Sequence, residues 1–122
     1  MTKIKLILLS FLFFSIAPTA FAAEAYLGQF IYKYKGGDTY RVTVSDSKIM
    51  KWECIEGTEK GAIGIENPQR FKANDKVYFV TWVEKTGIYV SQMVDLKNMK
   101  VFSTIIDGKE RYVVEGIISR EK

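Results

Sequence analysis

The sequence predicts an all-β protein: an eight-stranded antiparallel up-and-down barrel that follows an N-terminal signal peptide. Three observations support that expectation. An apolar leader ends in a small-residue motif, the hydrophobic period from Gly28 onward is two rather than 3.6, and short turn-forming segments separate the apolar runs.

The leader comes first. Lys3 and Lys5 form a short positive region, and Ile4 to Ile16 is almost wholly apolar apart from Lys5, Ser10 and Ser15. Pro18 ends the run, and Ala20-Phe21-Ala22 supplies the small-x-small pattern that signal peptidase reads. The run is shorter than the roughly 20 apolar residues that a membrane-spanning helix needs. No cysteine follows the cleavage position, so lipid attachment is not expected there. The expected organisation is a signal peptide over 1–22 and one barrel domain over 23–122. That domain would be periplasmic or secreted, with no membrane association after cleavage.

Composition narrows the chemistry. The chain of 122 residues carries a formal charge of +4, and the loss of Lys3 and Lys5 with the leader reduces that excess by two. A small, dispersed positive charge on an exported domain does not suggest a nucleic-acid partner. Histidine is absent, which excludes a Ser-His-Asp triad, a Cys-His pair and any histidine-ligated metal. Cys54 is the only cysteine, so no internal disulfide can form, and it reads as a small core residue. No metal site and no cofactor is expected.

The strands follow in order. Gly28 to Lys35 is aromatic and alternating. Tyr40, Val42 and Val44 alternate with Arg41, Thr43 and Ser45, and Met50, Trp52 and Cys54 alternate with Lys51, Glu53 and Ile55. β-Branched and aromatic residues fill Val77–Val83, Ile88–Val94, Val101–Ile106 and Tyr112–Ile118. Turn formers separate them: Gly36-Gly37-Asp38, Asp46-Ser47, Glu84-Lys85-Thr86-Gly87, Lys97-Asn98 and Asp107-Gly108-Lys109. These runs give seven clear strands, near 28–35, 39–45, 48–56, 76–83, 87–95, 99–106 and 110–119. An irregular eighth near 61–72 contains Pro68, which disfavours a central ladder position. Short links imply antiparallel neighbours, and closure into a barrel removes exposed edges. A two-sheet sandwich is the competing architecture.

A barrel of eight strands either fills with side chains or holds one small ligand. Strand parity nominates its lining. Phe30, Tyr32 and Tyr34 share a face, with Lys33 and Lys35 on the other. Two phenols facing inward could hold a polar ligand group, or they could simply pack near the barrel mouth. Tyr78, Val80, Trp82 and Glu84 also share a face if the strand runs that far. A carboxyl beside aromatic walls has its pKa raised by desolvation and could serve as a proton donor or ligand acceptor. If the strand ends earlier, Glu84 caps a turn in water. Lys60, in Gly57-Thr58-Glu59-Lys60-Gly61, lacks P-loop spacing and reads as loop.

Several of these residues also carry a family resemblance. Gly28-Gln29-Phe30-Ile31-Tyr32-Lys33-Tyr34, followed by Gly37 and Tyr40, resembles the opening of the MoaF-like and phenolic acid decarboxylase-like calycin domains. Trp52-Glu53 with Gly57, and Val77 to Glu84 followed by Thr86-Gly87, are similar to the same pattern. Val90-Ser91-Gln92-Met93-Val94-Asp95-Leu96 resembles the MoaF-like branch more closely. The resemblance covers residues 27–106. It implies an eight-stranded lipocalin-like barrel with a central pocket. In the decarboxylase branch two tyrosines, an arginine and a glutamate surround a hydroxycinnamate; Tyr32, Tyr34 and Glu84 match three of these. The arginine has no counterpart, because Ala62 follows Gly61 and the next arginine is Arg70. The C-terminal helical extension of those decarboxylases is also missing.

The sequence therefore points first to a non-catalytic binding barrel for a small, partly apolar molecule, with Tyr32, Tyr34, Trp82 and Glu84 in its pocket. A cofactor-free decarboxylase-like lyase using Glu84, and an interaction or inhibitor module working through loops or a sheet edge, are the alternatives. The oligomeric state is not legible in the sequence.

Overall fold

The computed structural model describes residues 24–121, so the expected signal peptide lies outside the described residues. Within them the chain is all-β. Its strands are β1 (Gly28–Tyr34), β2 (Thr39–Val44), β3 (Met50–Glu56), β4 (Ile63–Glu66), β5 (Gln69–Asn74), β6 (Val77–Val83), β7 (Tyr89–Asp95), β8 (Lys100–Asp107) and β9 (Glu110–Arg120). They form one antiparallel sheet in the order β4-β3-β2-β1-β9-β8-β7-β6-β5.

Two expectations need correction: the chain has nine strands, not eight, and hydrogen bonding does not close the sheet into a complete barrel. The irregular segment near 61–72 divides into β4 and β5 on either side of Asn67-Pro68. Proline has no N–H to give a ladder and biases the residue before it toward extended backbone. The chain therefore makes no tight turn there. β4 pairs with β3 on one side and β5 with β6 on the other, leaving β4 and β5 as the two edges of the sheet.

The sheet is nonetheless strongly curled. Side chains from β1, β2, β3, β6, β7, β8 and β9 line a single cavity, which a flat sheet could not bring about. The first strand and the last pair in the middle of the sheet, β1 with β9 from Phe30↔Arg120 to Tyr34↔Gly116. Every other ladder connects neighbours in sequence through a short link.

The concave face carries the core. Phe30, Val42, Val44, Val80, Val94, Val101 and Ile118 are buried there, together with the ring of Tyr26 from the segment before β1. Tyr26 closes one end of the barrel. Its ring packs 5.5 Å from Phe30 and 5.2 Å from Tyr78, and the Arg70 guanidinium lies 5.2 Å from its centroid. Cys54 is buried and unpaired, and its thiol approaches the Glu56 carbonyl oxygen at 3.2 Å. On the convex face, Phe71, Phe79, Met93 and Phe102 stand directly opposite one another across β5, β6, β7 and β8, all exposed.

Candidate functional site

Tyr26 fills one end of the interior against Phe30 and Tyr78, and the interior is hollow toward the other. A cavity of about 260 Å³ lies there, lined by Tyr32, Tyr34, Tyr40, Trp52, Trp82 and Glu84 among others. That volume is slightly below the usual range for ligand pockets, which begins at roughly 300 Å³, so any occupant is small.

All four residues singled out by parity reach this cavity, but they play unequal parts. Tyr32 forms its floor, almost fully buried, with its hydroxyl 2.7 Å from that of Tyr26. Tyr32 donates in that bond and Tyr26 directs its own proton to Met50 Sδ at 3.9 Å, so both buried hydroxyls have partners. Tyr34 stands one step nearer the opening. Its hydroxyl shares a 2.8 Å hydrogen bond with Ser103 Oγ and accepts another from Gln92 Nε2 at 3.1 Å. Burial holds both Tyr32 and Tyr34 protonated, with pKa values well above the usual phenol.

Two glycines make room for the aromatic wall. Gly116 pairs with Tyr34 across the β1–β9 ladder, and a Cβ there would lie 2.8 Å from the Lys33 carbonyl oxygen and 3.0 Å from the Tyr34 ring. Gly64 faces Trp52 in the β3–β4 ladder, where any side chain would overlap the indole. The Trp52 ring thus lies over β4, and its Nε1 donates to Glu66 at 2.9 Å.

Glu84 resolves the question left by the strand pattern. β6 ends at Val83, and the Glu84 backbone closes the turn to β7 by donating to the Ile88 carbonyl at 2.8 Å. The side chain nevertheless turns into the cavity, half-buried, and accepts a long 3.4 Å hydrogen bond from Trp82 Nε1. Its carboxyl pKa is raised chiefly by burial; the Trp82 bond opposes the shift, and the nearby charges of Glu66 and Glu59 reinforce it.

The structure adds residues that parity alone did not select. Tyr40 faces Trp52 at 5.9 Å between centroids, and its hydroxyl donates to Glu59 Oε1 at 2.6 Å. Burial and that bond both hold the Tyr40 phenol protonated. Gln92 is buried on β7; its amide nitrogen serves Tyr34, and its carbonyl oxygen has no partner. The alternations Tyr40-Val42-Val44 and Met50-Trp52-Cys54 already placed these rings on the same faces as buried neighbours. The inter-strand register that brings them to one opening is not written in a single strand. Arg70, the nearest later candidate for the missing arginine, is far from this role: it stacks on Tyr26 and Tyr78 at the closed end. No arginine lines the cavity. Among the described residues no cluster of His, Cys, Asp and Glu side chains could hold a metal ion.

A curled antiparallel sheet, plugged at one end and hollow at the other, is a calycin-like architecture. The chain belongs to the MoaF-like family, whose model matches residues 28–119. No curated protein matches it. Among solved structures it is similar to a protein from Burkholderia vietnamiensis provisionally called a beta-lactamase, with a TM-score of 0.70 and 16% identity. The match covers 75% of this chain and 90% of that one. At that identity the likeness is one of fold alone.

Proposed function

We propose that this is an exported, periplasmic or secreted, barrel protein that binds a small, partly apolar molecule without transforming it. The observation that carries the reading is the cavity of about 260 Å³, with an aromatic and aliphatic wall and a few polar groups contributed by separate strands and loops. Pockets for small ligands have this composition: apolar area for affinity and sparse polar groups for orientation. The leader over 1–22 supports export.

Both tryptophans of the chain, Trp52 and Trp82, line the cavity, so intrinsic fluorescence reports directly on its occupancy. Titration with small aromatic and alicyclic compounds should shift the emission saturably. Filling the hollow through Val114→Trp, a substitution in the β9 wall, should weaken binding about tenfold or more, equal to about 1.4 kcal/mol. An unchanged affinity in a folded Val114→Trp protein would remove the cavity as the binding place.

One observation favours a second reading, a decarboxylase-like lyase: Glu84 has a raised pKa inside an aromatic cavity, as a proton-transfer group requires. Against it stands the lining, which offers no guanidinium to fix a carboxylate substrate. Hydroxycinnamates should therefore keep their ultraviolet absorbance on incubation with the protein; a loss abolished by Glu84→Gln would establish the lyase instead. The interaction-module reading rests on the exposed row Phe71, Phe79, Met93 and Phe102, and leaves the cavity without a role.

A further inference from the structure

The donors and acceptors around the cavity are unevenly distributed. Four of its aromatic walls carry polar hydrogens, and three of these are directed to carboxylates: Tyr40 to Glu59, Trp52 to Glu66 and Trp82 to Glu84. The fourth, Tyr34, is engaged with Ser103 and Gln92. These walls have little left to donate to an incoming anion. What they present instead is ring faces and carboxylate oxygens.

Charge points the same way. Asp38, Glu59 and Glu84 line the cavity against one ammonium, Lys35, and that group is largely exposed and bound to Glu115 at 2.9 Å. The rings are also disposed as adjoining walls: Tyr34 meets Tyr40 at 80° and Tyr40 meets Trp52 at 76°, each pair 5.9 Å apart. Indole and phenol faces attract cations, and most strongly where water is excluded. A hydrogen bond from the ring's N–H or O–H to a carboxylate pushes electron density into that ring and strengthens the attraction.

We infer that the molecule held in this cavity is an organic monocation, a substituted ammonium carried on a small apolar body. The ammonium sits among Tyr34, Tyr40, Trp52 and Trp82 under the carboxylates at the opening, and the apolar part points toward Val42, Val90 and the Tyr32 floor. The inference rests on the binding reading above and gives it a substrate class. It also separates this protein from the decarboxylase branch, whose ligand is an anion.

The test uses isothermal titration calorimetry on the mature protein with three probes. Two are matched in shape and differ in charge, (3-hydroxyphenyl)trimethylammonium and 3-tert-butylphenol; the third is the anion 4-hydroxycinnamate. The cation should bind at least about tenfold more tightly than its neutral isostere, with the anion weakest. Combining Glu59→Gln with Glu84→Gln should lower cation affinity about tenfold and leave the neutral isostere unchanged, with thermal unfolding confirming that the variant is folded. Equal or tighter binding of 3-tert-butylphenol or the hydroxycinnamate overturns the cation inference and leaves the binding reading intact. A cation preference undiminished in the folded double variant overturns the role of these carboxylates. Absence of binding by every probe overturns both the inference and the reading beneath it.

Discussion

Phe30→Ala is expected to lower the unfolding free energy by about 3–5 kcal/mol, the range for removing a fully buried phenylalanine. Phe30 is 0% exposed, packs against Tyr26, and has the Arg120 guanidinium 4.8 Å from its centroid. The site has little means of collapsing around the hole, because its neighbours are fixed by the β1–β2 and β1–β9 ladders. Domains of this size are stable by only about 5–15 kcal/mol, so the variant stands close to unfolding at ordinary temperature. Urea denaturation followed by far-ultraviolet circular dichroism measures the change. Phe71→Ala provides the contrast: that ring is 68% exposed on an edge strand, and its removal should alter stability by no more than about 0.5 kcal/mol. Equal losses for the two variants would contradict the assignment of the core to the concave face.

The second large effect is a steep loss of stability in alkali. Burial raises the Tyr26 pKa from 10.0 to about 12, outweighing the lowering by the Tyr32 bond and by Arg70. Burial raises its partner Tyr32 as well, and ionising either phenol would place an anion beside the other hydroxyl. Above about pH 10 the unfolded chain releases these protons while the folded protein keeps them. The unfolded state is then favoured. The phenols' contribution is complete below pH 10 and disappears as the pH climbs to about 12 and beyond. Each retained proton costs about 1.4 kcal/mol per pH unit, so the pair makes stability fall by about 3 kcal/mol per unit in that window. Tyr34 acts in the same direction. Denaturation midpoints across the alkaline range, read beside phenolate absorbance, test this. In the Tyr26→Phe, Tyr32→Phe double variant the slope should be shallower by about 3 kcal/mol per pH unit, the remainder coming from other phenols that burial raises, such as Tyr34 and Tyr40.

Much of the architecture was legible because alternation is a local signal. The runs at Tyr40–Val44 and Met50–Cys54, and those from Val77 onward, became strands whose ends lie within a residue or two of the expected ones. What alternation cannot supply is register, and register made the site. Trp52 was recognisably on an inward face, but its place beside Tyr40 depends on the β2–β3 ladder, where the pairing shifts between Thr39 and Tyr40. Glu59 lies in a loop with no period to read, and Tyr26 precedes the first strand, so neither carried a positional signal. Pro68 gave a true warning about the ladder. Its further effect, two short strands serving opposite neighbours, required knowing where β3 and β6 would lie.

The position of that proline has a topological consequence. Around the circumference of the barrel the sheet has one gap in its hydrogen bonding, between β4 and β5, and there the backbone itself crosses through Asn67 and Pro68. The described segment also has one covalent gap, between its ends, and there the β1–β9 ladder provides the join, supplemented by Glu121 N–H donating to the Gln29 carbonyl at 3.0 Å. The two interruptions lie on different parts of the ring. Each is spanned by the kind of linkage that the other lacks, peptide bonds at the first and a hydrogen-bonded ladder at the second.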